Sequence, residues 1–174
     1  ITSLEKASQV IRSGADRLCL QSILQSNYQE LVECAKTFGG QAITLKFDIS
    51  MSENLLRSFS CNWESFIADW GQKIPDLMDY DIDEIFFNSI DSDGLIKPTI
   101  FPPINSGLFV NHSIILGGGI SDKNVEILFH RYLPSFKSLS FSFSNFFYQQ
   151  ENANKSILGA LSSTICRHRF LEAS

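Results

Sequence analysis

Signals for disulfides, metal ions and membranes are lacking in this sequence. The chain has four cysteines in 174 residues, without a CxxC spacing, and its three histidines form no HExxH or similar ligand pattern. A disulfide framework and a metal site are therefore not expected, and the thiols are expected to be reduced and buried. No signal peptide or membrane-length apolar run is recognisable. Because the first residue is Ile1 rather than Met, the start of the natural chain is expected to be missing.

Runs of basic residues are absent as well. The formal net charge is −5 at pH 7, and neither heptads nor an aromatic-plus-basic stripe occurs. Nucleic acid and an anionic membrane surface are therefore not expected as partners. No cofactor is expected, and the protein is expected to be cytoplasmic.

The sequence does contain alternating strand and helix patterns. The length predicts a single domain over residues 1–174, and the 44% of hydrophobic residues is enough to build a substantial core. Short apolar segments predict β-strands at residues 17–21, 42–48, 83–88, 112–116 and 137–142. Helical patterns predict helices at residues 3–13, 26–37, 63–78, 99–109, 121–132 and 153–161. This alternation predicts a parallel sheet covered by helices.

A doubly wound sheet and an incomplete barrel fit this number of strands equally well. Polar residues recur where the predicted strands end, which is where barrel enzymes place their active sites. We therefore predict an α/β fold, a (β/α)8 TIM barrel that lacks its first two to three strands, since a complete barrel takes about 250 residues. The polar segment 49–62 is either a lid over one strand end or an ordinary surface excursion.

Asp48 ends an apolar strand, where a carboxylate is costly to bury without a partner. At a barrel mouth it is a candidate general acid or base. The alternative is an Asp that caps the loop after the strand.

Three consecutive glycines lie between a predicted strand and a predicted helix. Gly118 and Gly119 in this triplet would let backbone N–H groups approach a phosphate at a helix N-terminus. Ser144, at the end of the next strand, strengthens this interpretation because neighbouring loops of a barrel often build one phosphate site together. The alternative is a plain tight turn.

The densest polar cluster lies between Asn88 and Gly94. Its spacing does not match a calcium loop. Asp93 and Gly94 predict a turn that offers a backbone N–H to a ligand, and Asn88 is expected to point toward the mouth. Arg17 and Glu84 begin their strands, at the opposite end, where charges are normally solvated or paired.

These residues, in this order, resemble the cyclase subunit of imidazole glycerol phosphate synthase. The resemblance is carried by ITSLEKASQVIRSGADRLCLQS, LVECAKTFGGQAITLKFD, ADWGQKIPDLMDYDIDEIFFNSIDSDG and IILGGGISDKNVEILF. It implies a (β/α)8 barrel that receives ammonia from a glutaminase partner and adds it to a phosphoribosyl-formimino aminoimidazole carboxamide ribonucleotide, in histidine biosynthesis. Of the family's two acid–base aspartates, one matches Asp48. The other lies on a first strand that this sequence does not contain.

The resemblance also implies roles for the other candidate residues. One phosphate site carries over to Asp93, Gly94, Gly118, Gly119 and Ser144. A second phosphate site carries over to Gln21 and Ser22, where the family usually has Asn-Thr. Arg17 and Glu84 match the charged ring that gates the ammonia entrance at the barrel bottom.

Departures from the family pattern leave two further hypotheses open for the function of the chain. Asn88 stands where the histidine-pathway enzymes usually have Thr, and residues 95–98 replace a Gly-Tyr-Asp. Asn before Ser-Ile-Asp is similar to a paralogous branch in surface-polysaccharide synthesis, which helps convert a sugar substituent to an amidine. The third reading is a catalytically incompetent barrel fragment that acts as a binding subunit, because a barrel without its first strands exposes sheet edges.

Overall fold

The strands and helices alternate along the chain in the computed structural model, which describes residues 1–52, 55–56, 61–93, 95, 99, 101–102, 104, 107–143, 153 and 155–160. The strands are β1 (Leu18–Leu20), β2 (Ile43–Ser50), β3 (Leu55–Leu56), β4 (Glu84–Ser89), β5 (Ser113–Gly117) and β6 (Ser138–Ser142). The α-helices with described bounds are α1 (Leu4–Arg12), α2 (Ser22–Ser26), α3 (Tyr28–Phe38), α4 (Trp63–Trp70), α5 (Lys73–Asp76) and α6 (Val125–Tyr132), and residues 155–160 are helical as well. Single 3-10 turns lie at Gly40–Ala42, Leu77–Tyr80 and Leu133–Ser135.

Local sequence explains where the longer helices begin. Side-chain oxygens of Ser3, Asn27 and Asn62 accept backbone N–H groups in the first turns of α1, α3 and α4. Such caps satisfy donors that have no partner inside the helix. Ser3 is therefore the N-cap of α1.

The sheet order is β1-β2-β4-β5-β6, and every neighbouring pair in it is parallel. Strand order thus follows chain order without a reversal. A doubly wound sheet contains a reversal, whereas a barrel does not. The topology therefore favours the barrel over the doubly wound alternative and confirms the predicted α/β class.

The two faces of the sheet have different surroundings. One face packs against the helices and forms the core, with β2 contributing Ile43, Leu45, Phe47 and Ile49. Rings from α4 cover this face: the centroids of Phe47 and Phe66 are 5.3 Å apart. Full burial of each such side chain contributes about 1.5–3 kcal/mol.

The opposite face carries the alternate residues of each strand. In register these are Thr44 beside Glu84, Lys46 beside Phe86, and Asp48 beside Asn88. We call this surface the inward face, because it corresponds to the interior of a closed barrel. Cys19 lies on it and is exposed, so the expectation that all the thiols are buried is wrong for this residue.

Two helix predictions differ from the structure. The helix predicted at residues 63–78 is divided, because α4 ends at Trp70 and a short α5 containing Pro75 follows. The described residues of 99–109 form turns and irregular backbone instead of the predicted helix. This segment contains the pair Pro102-Pro103, and proline lacks the N–H that a helix interior needs.

The segment 49–62 is partly structured. β3 pairs antiparallel with the end of β2, where Ile49 faces Leu56 and Ser50 faces Leu55. Residues 53–54 and 57–60 lie outside the described residues, so the lid remains a prediction. Among the described helices, none has both the length and the apolar character needed to cross a membrane.

Candidate functional site

Polar side chains meet where β2 and β4 end. Asp48 pairs in register with Asn88, and Asn88 pairs with Gly117 at the end of β5. Parallel strands end at the same edge of a sheet, so these three positions form a continuous row. Asn88 lies on the inward face beside Asp48.

Among the described residues, donors that hold Asp48 include Gln21, Asn88 and Lys46. Gln21 Nε2 donates to Asp48 Oδ2 over 2.6 Å, and Asn88 Nδ2 donates to Asp48 Oδ1 over 3.1 Å. Lys46 Nζ lies 3.1 Å from the same Oδ1. Only 18% of the Asp48 side chain is exposed, and a largely buried carboxylate requires such partners. The structure therefore brings together Asp48, Gln21 and Asn88, all of which were predicted site residues.

Lys46 was not among the residues singled out from the sequence. Strand alternation carried the signal, because Lys46 lies two residues before Asp48 and so shares its face. Its ammonium also lies 5.7 Å from the centroid of the Phe86 ring.

Asp91 connects the two loops that follow β2 and β4. Its carboxylate accepts hydrogen bonds from the Ser50 hydroxyl at 2.8 Å and from the Ser52 backbone N–H and hydroxyl, each at 2.9 Å. Burial raises the pKa of Asp91, but these hydrogen bonds and one from Met51 outweigh burial and hold the pKa below its ordinary value. This residue therefore positions the loop after Asp48.

The glycine turn lies against the end of β4. Gly118 and Gly119 have φ angles of 85° and 70°, which favour glycine. A Cβ on Gly118 would lie 2.1 Å from the Ser89 carbonyl oxygen, so only glycine allows this close approach. Thr99 Oγ1 donates to the Gly118 carbonyl over 2.7 Å.

Asn124 stabilises the other side of the glycine turn. Its Nδ2 donates to the Gly119 carbonyl over 2.8 Å, and its Oδ1 accepts the Ser121 N–H at 2.9 Å. The turn therefore enters α6 in a fixed conformation. Asp93, in the loop after β4, is exposed, whereas Gly94 and Ser144 lie outside the described residues.

The second predicted phosphate position begins α2. Ser22 is the first residue of this helix and is half-buried, and Gln21 precedes it at the N-cap. The Gln21 side chain is directed to Asp48. The structure therefore links this position to the Asp48 cluster.

A charged pair lies at the other end of the inward face. Arg17 Nη2 is 2.8 Å from Glu84 Oε1, and Thr44 Oγ1 donates to the same oxygen over 2.5 Å. Glu84 precedes Asn88 by four residues on β4, about 13 Å along an extended strand. The pair and Asp48 are thus connected by one continuous face.

Metal-ligand clusters are not seen in the part of the chain that the structure describes. No group of three or more His, Cys, Asp or Glu residues there is arranged to hold an ion.

Sequential parallel strands, alternating helices and polar groups at one strand edge define part of a (β/α)8 barrel. The model of the family described as "Histidine biosynthesis protein" matches residues 1–131. The chain belongs to this histidine biosynthesis family.

Curated relatives carry the name imidazole glycerol phosphate synthase subunit HisF. The protein from Alkaliphilus metalliredigens is 27% identical over 105 residues, which cover 54% of this chain and 38% of the relative. The protein from Sulfurisphaera tokodaii is 28% identical over 98 residues, with 54% and 38% covered. The protein from Streptococcus sanguinis is 26% identical over 131 residues, with 68% and 48% covered. The matched part of this chain thus corresponds to less than half the length of each of these relatives.

Proposed function

We propose that this chain is the ammonia-using cyclase component of an imidazole glycerol phosphate synthase-type enzyme and binds a phosphorylated small molecule. The observation that carries this proposal is the placement of Asp48 and the Gly118–Gly119 turn at the ends of nearby strands on one sheet edge. The subunit name of the HisF relatives supports the same assignment.

The two parts of the site have complementary chemical roles. Backbone N–H groups of a glycine turn before a helix can hold a phosphate, and Gly118 and Gly119 provide such a turn ahead of α6. Asp48 is an acceptor fixed within the same row of side chains and would take up a proton as ammonia adds to the substrate. In the proposed reaction, ammonia adds to the formimino ribonucleotide, the imidazole ring closes with loss of one water, and cleavage gives imidazole glycerol phosphate and an aminoimidazole ribotide.

A glutaminase partner is part of this proposal. The Arg17–Glu84 pair lies at the end of the inward face opposite Asp48, which suits a gate for ammonia arriving from a second protein. The cytoplasmic location follows from the same assignment and stays a prediction.

The proposal is tested with Asp48→Asn. The formimino ribonucleotide and an ammonium salt are supplied to the chain, and imidazole glycerol phosphate is measured. Because the amide cannot accept the proton, the rate is expected to fall about a hundredfold or more. Asp69→Asn on α4 is the matched control, since Asp69 is exposed and, in the described contacts, pairs with Lys73. Turnover by Asp48→Asn equal to that of wild type would contradict the assignment.

A specific observation also favours the polysaccharide-type alternative. Asn88, one of the residues that depart from the histidine-pathway pattern, donates directly to Asp48. Ammonium-dependent amidine formation on a nucleotide-linked sugar, without imidazole product, would select this alternative. Phosphate-ester binding without turnover on either substrate would select the binding subunit.

A further inference from the structure

Lys46 occupies an unusual place for a lysine. It lies within β2 on the inward face, between Thr44 and Asp48. Thr44 is hydrogen-bonded to Glu84. Its side chain is only 26% exposed, and lysine is rarely so covered unless it is paired. The cost of partly desolvating the ammonium therefore requires an explanation.

The contacts of Lys46 all involve the inward face. Its Nζ lies 3.1 Å from Asp48 Oδ1 and 5.7 Å from the Phe86 ring centroid. The two amides on Asp48, from Gln21 and Asn88, are neutral donors. Lys46 therefore adds the opposite charge that these amides do not supply.

The ion pair also restricts how Asp48 can turn. Oδ1 is shared by Lys46 and Asn88, which lie on neighbouring strands, while Oδ2 is held by Gln21 from the end of β1. A carboxylate held on both oxygens, from β2, from β4 and from the N-cap of α2, keeps one orientation. Errors of about 1 Å in the placement of a reacting group can reduce rates about a hundredfold.

We propose that Lys46 is a positioning residue that holds the Asp48 carboxylate in its reactive orientation through the Lys46–Asp48 ion pair on the inward face. This proposal rests on the proposed function of Asp48. Lys46 is not required to touch the substrate; it acts through Asp48.

The kinetic test compares two replacements of Lys46. Lys46→Met keeps a long side chain but removes the charge, whereas Lys46→Arg keeps the charge. We expect Lys46→Met to lower kcat about tenfold with KM for the phosphorylated substrate within about twofold of wild type, because the glycine turn is untouched. Lys46→Arg is expected to retain most of the activity. Lys36→Met, at an exposed lysine of α3, is the control.

A structural role for Lys46 predicts a different result. In that case both variants would lower the unfolding midpoint and the activity to the same extent, without rescue by Arg. That result would overturn the proposal, as would wild-type kcat in Lys46→Met.

A second measurement separates this proposal from the proposed function. Lysine acylation is followed by mass spectrometry in wild type and in Asp48→Asn. Acylation of Lys46 is expected to be slower than that of Lys36 in wild type and to rise at least about threefold in Asp48→Asn, since the ion pair is lost. Equal Lys46 rates in the two proteins would reject the positioning role. Absence of ribonucleotide turnover in wild type, with this difference intact, would reject only the function.

Discussion

At the scale of single residues, Gly118 and Gly14, two of the glycines with positive φ, allow the cost of backbone strain to be separated from the cost of a steric clash. Both have the left-handed backbone that disfavours Ala, but a Cβ on Gly14 would have no neighbour within 4 Å. Gly14→Ala is expected to cost about 1–2 kcal/mol of the free energy of unfolding. Gly118→Ala adds the clash with Ser89 and is expected to cost about 3 kcal/mol or more. Urea unfolding of the two variants measures the difference.

The same pair of variants tests the phosphate cradle. A phosphate ester should lose at least about tenfold in affinity for Gly118→Ala, because the displaced turn moves its N–H groups. Gly14→Ala should bind like wild type. Comparable affinities in calorimetric titrations of both variants would count against phosphate binding at this turn.

Site residues could be predicted from the sequence where an apolar run ends, and less easily where they lie inside such a run. Asp48 was recognised because it closes an apolar run, and Asn88 because it follows the next one. Lys46 lies inside a run and reads as one polar interruption. Its contact with the Phe86 ring depends on the register of β2 and β4, which places Lys46 beside Phe86. Asp91 appeared in a polar cluster, but its partners lie about forty positions earlier in the chain and depend on the pairing of β2 with β4.

At the scale of elements, Asp91 is expected to hold the loop after β2 against the loop after β4. Asp91→Asn removes the charge and part of the capacity to accept hydrogen bonds from Ser50 and Ser52. The contacts between the two loops are expected to weaken by about 1–3 kcal/mol. Faster amide exchange is expected at Ser52, while Leu45 in the middle of β2 keeps its protection. Unchanged exchange at Ser52 would show that the loop is held by other contacts.

The strands were predicted closely and the helices less so, for a physical reason. Buried strands consist of short apolar runs, and each observed strand of the five-strand parallel path overlaps its predicted range. The helix predicted at residues 63–78 depended on a periodicity that Pro75 interrupts. The described residues near 99–109 lie on irregular backbone, yet apolar side chains among them, such as Ile104 and Phe109, are buried in the core. Periodicity alone cannot distinguish these two ways of burying the same residues.

At the scale of the whole molecule, His112 is expected to make stability depend on pH. It precedes β5 and is 1% exposed, with its ring packed edge-on against Phe109. Burial lowers the pKa of His112 from 6.5, although the Asp83 carboxylate and the Ile74 carbonyl act in the opposite direction and Lys137 adds a smaller lowering. The folded chain therefore keeps the neutral imidazole at a pH where the unfolded chain has begun to bind a proton.

The sign of the effect follows from this difference. Well above pH 6.5 both states are neutral at this residue, and His112 adds no pH dependence. As the pH falls through 6.5 toward the lowered folded-state pKa, the unfolded chain binds more protons and the free energy of unfolding decreases, by at most about 1.4 kcal/mol per pH unit. His112→Phe should flatten this part of the urea-unfolding profile. His130→Gln, which replaces an exposed histidine of α6, should leave the slope as it is in wild type. A slope that persists in His112→Phe would assign the acid sensitivity to other groups, with Asp91 contributing only at lower pH because its pKa is depressed.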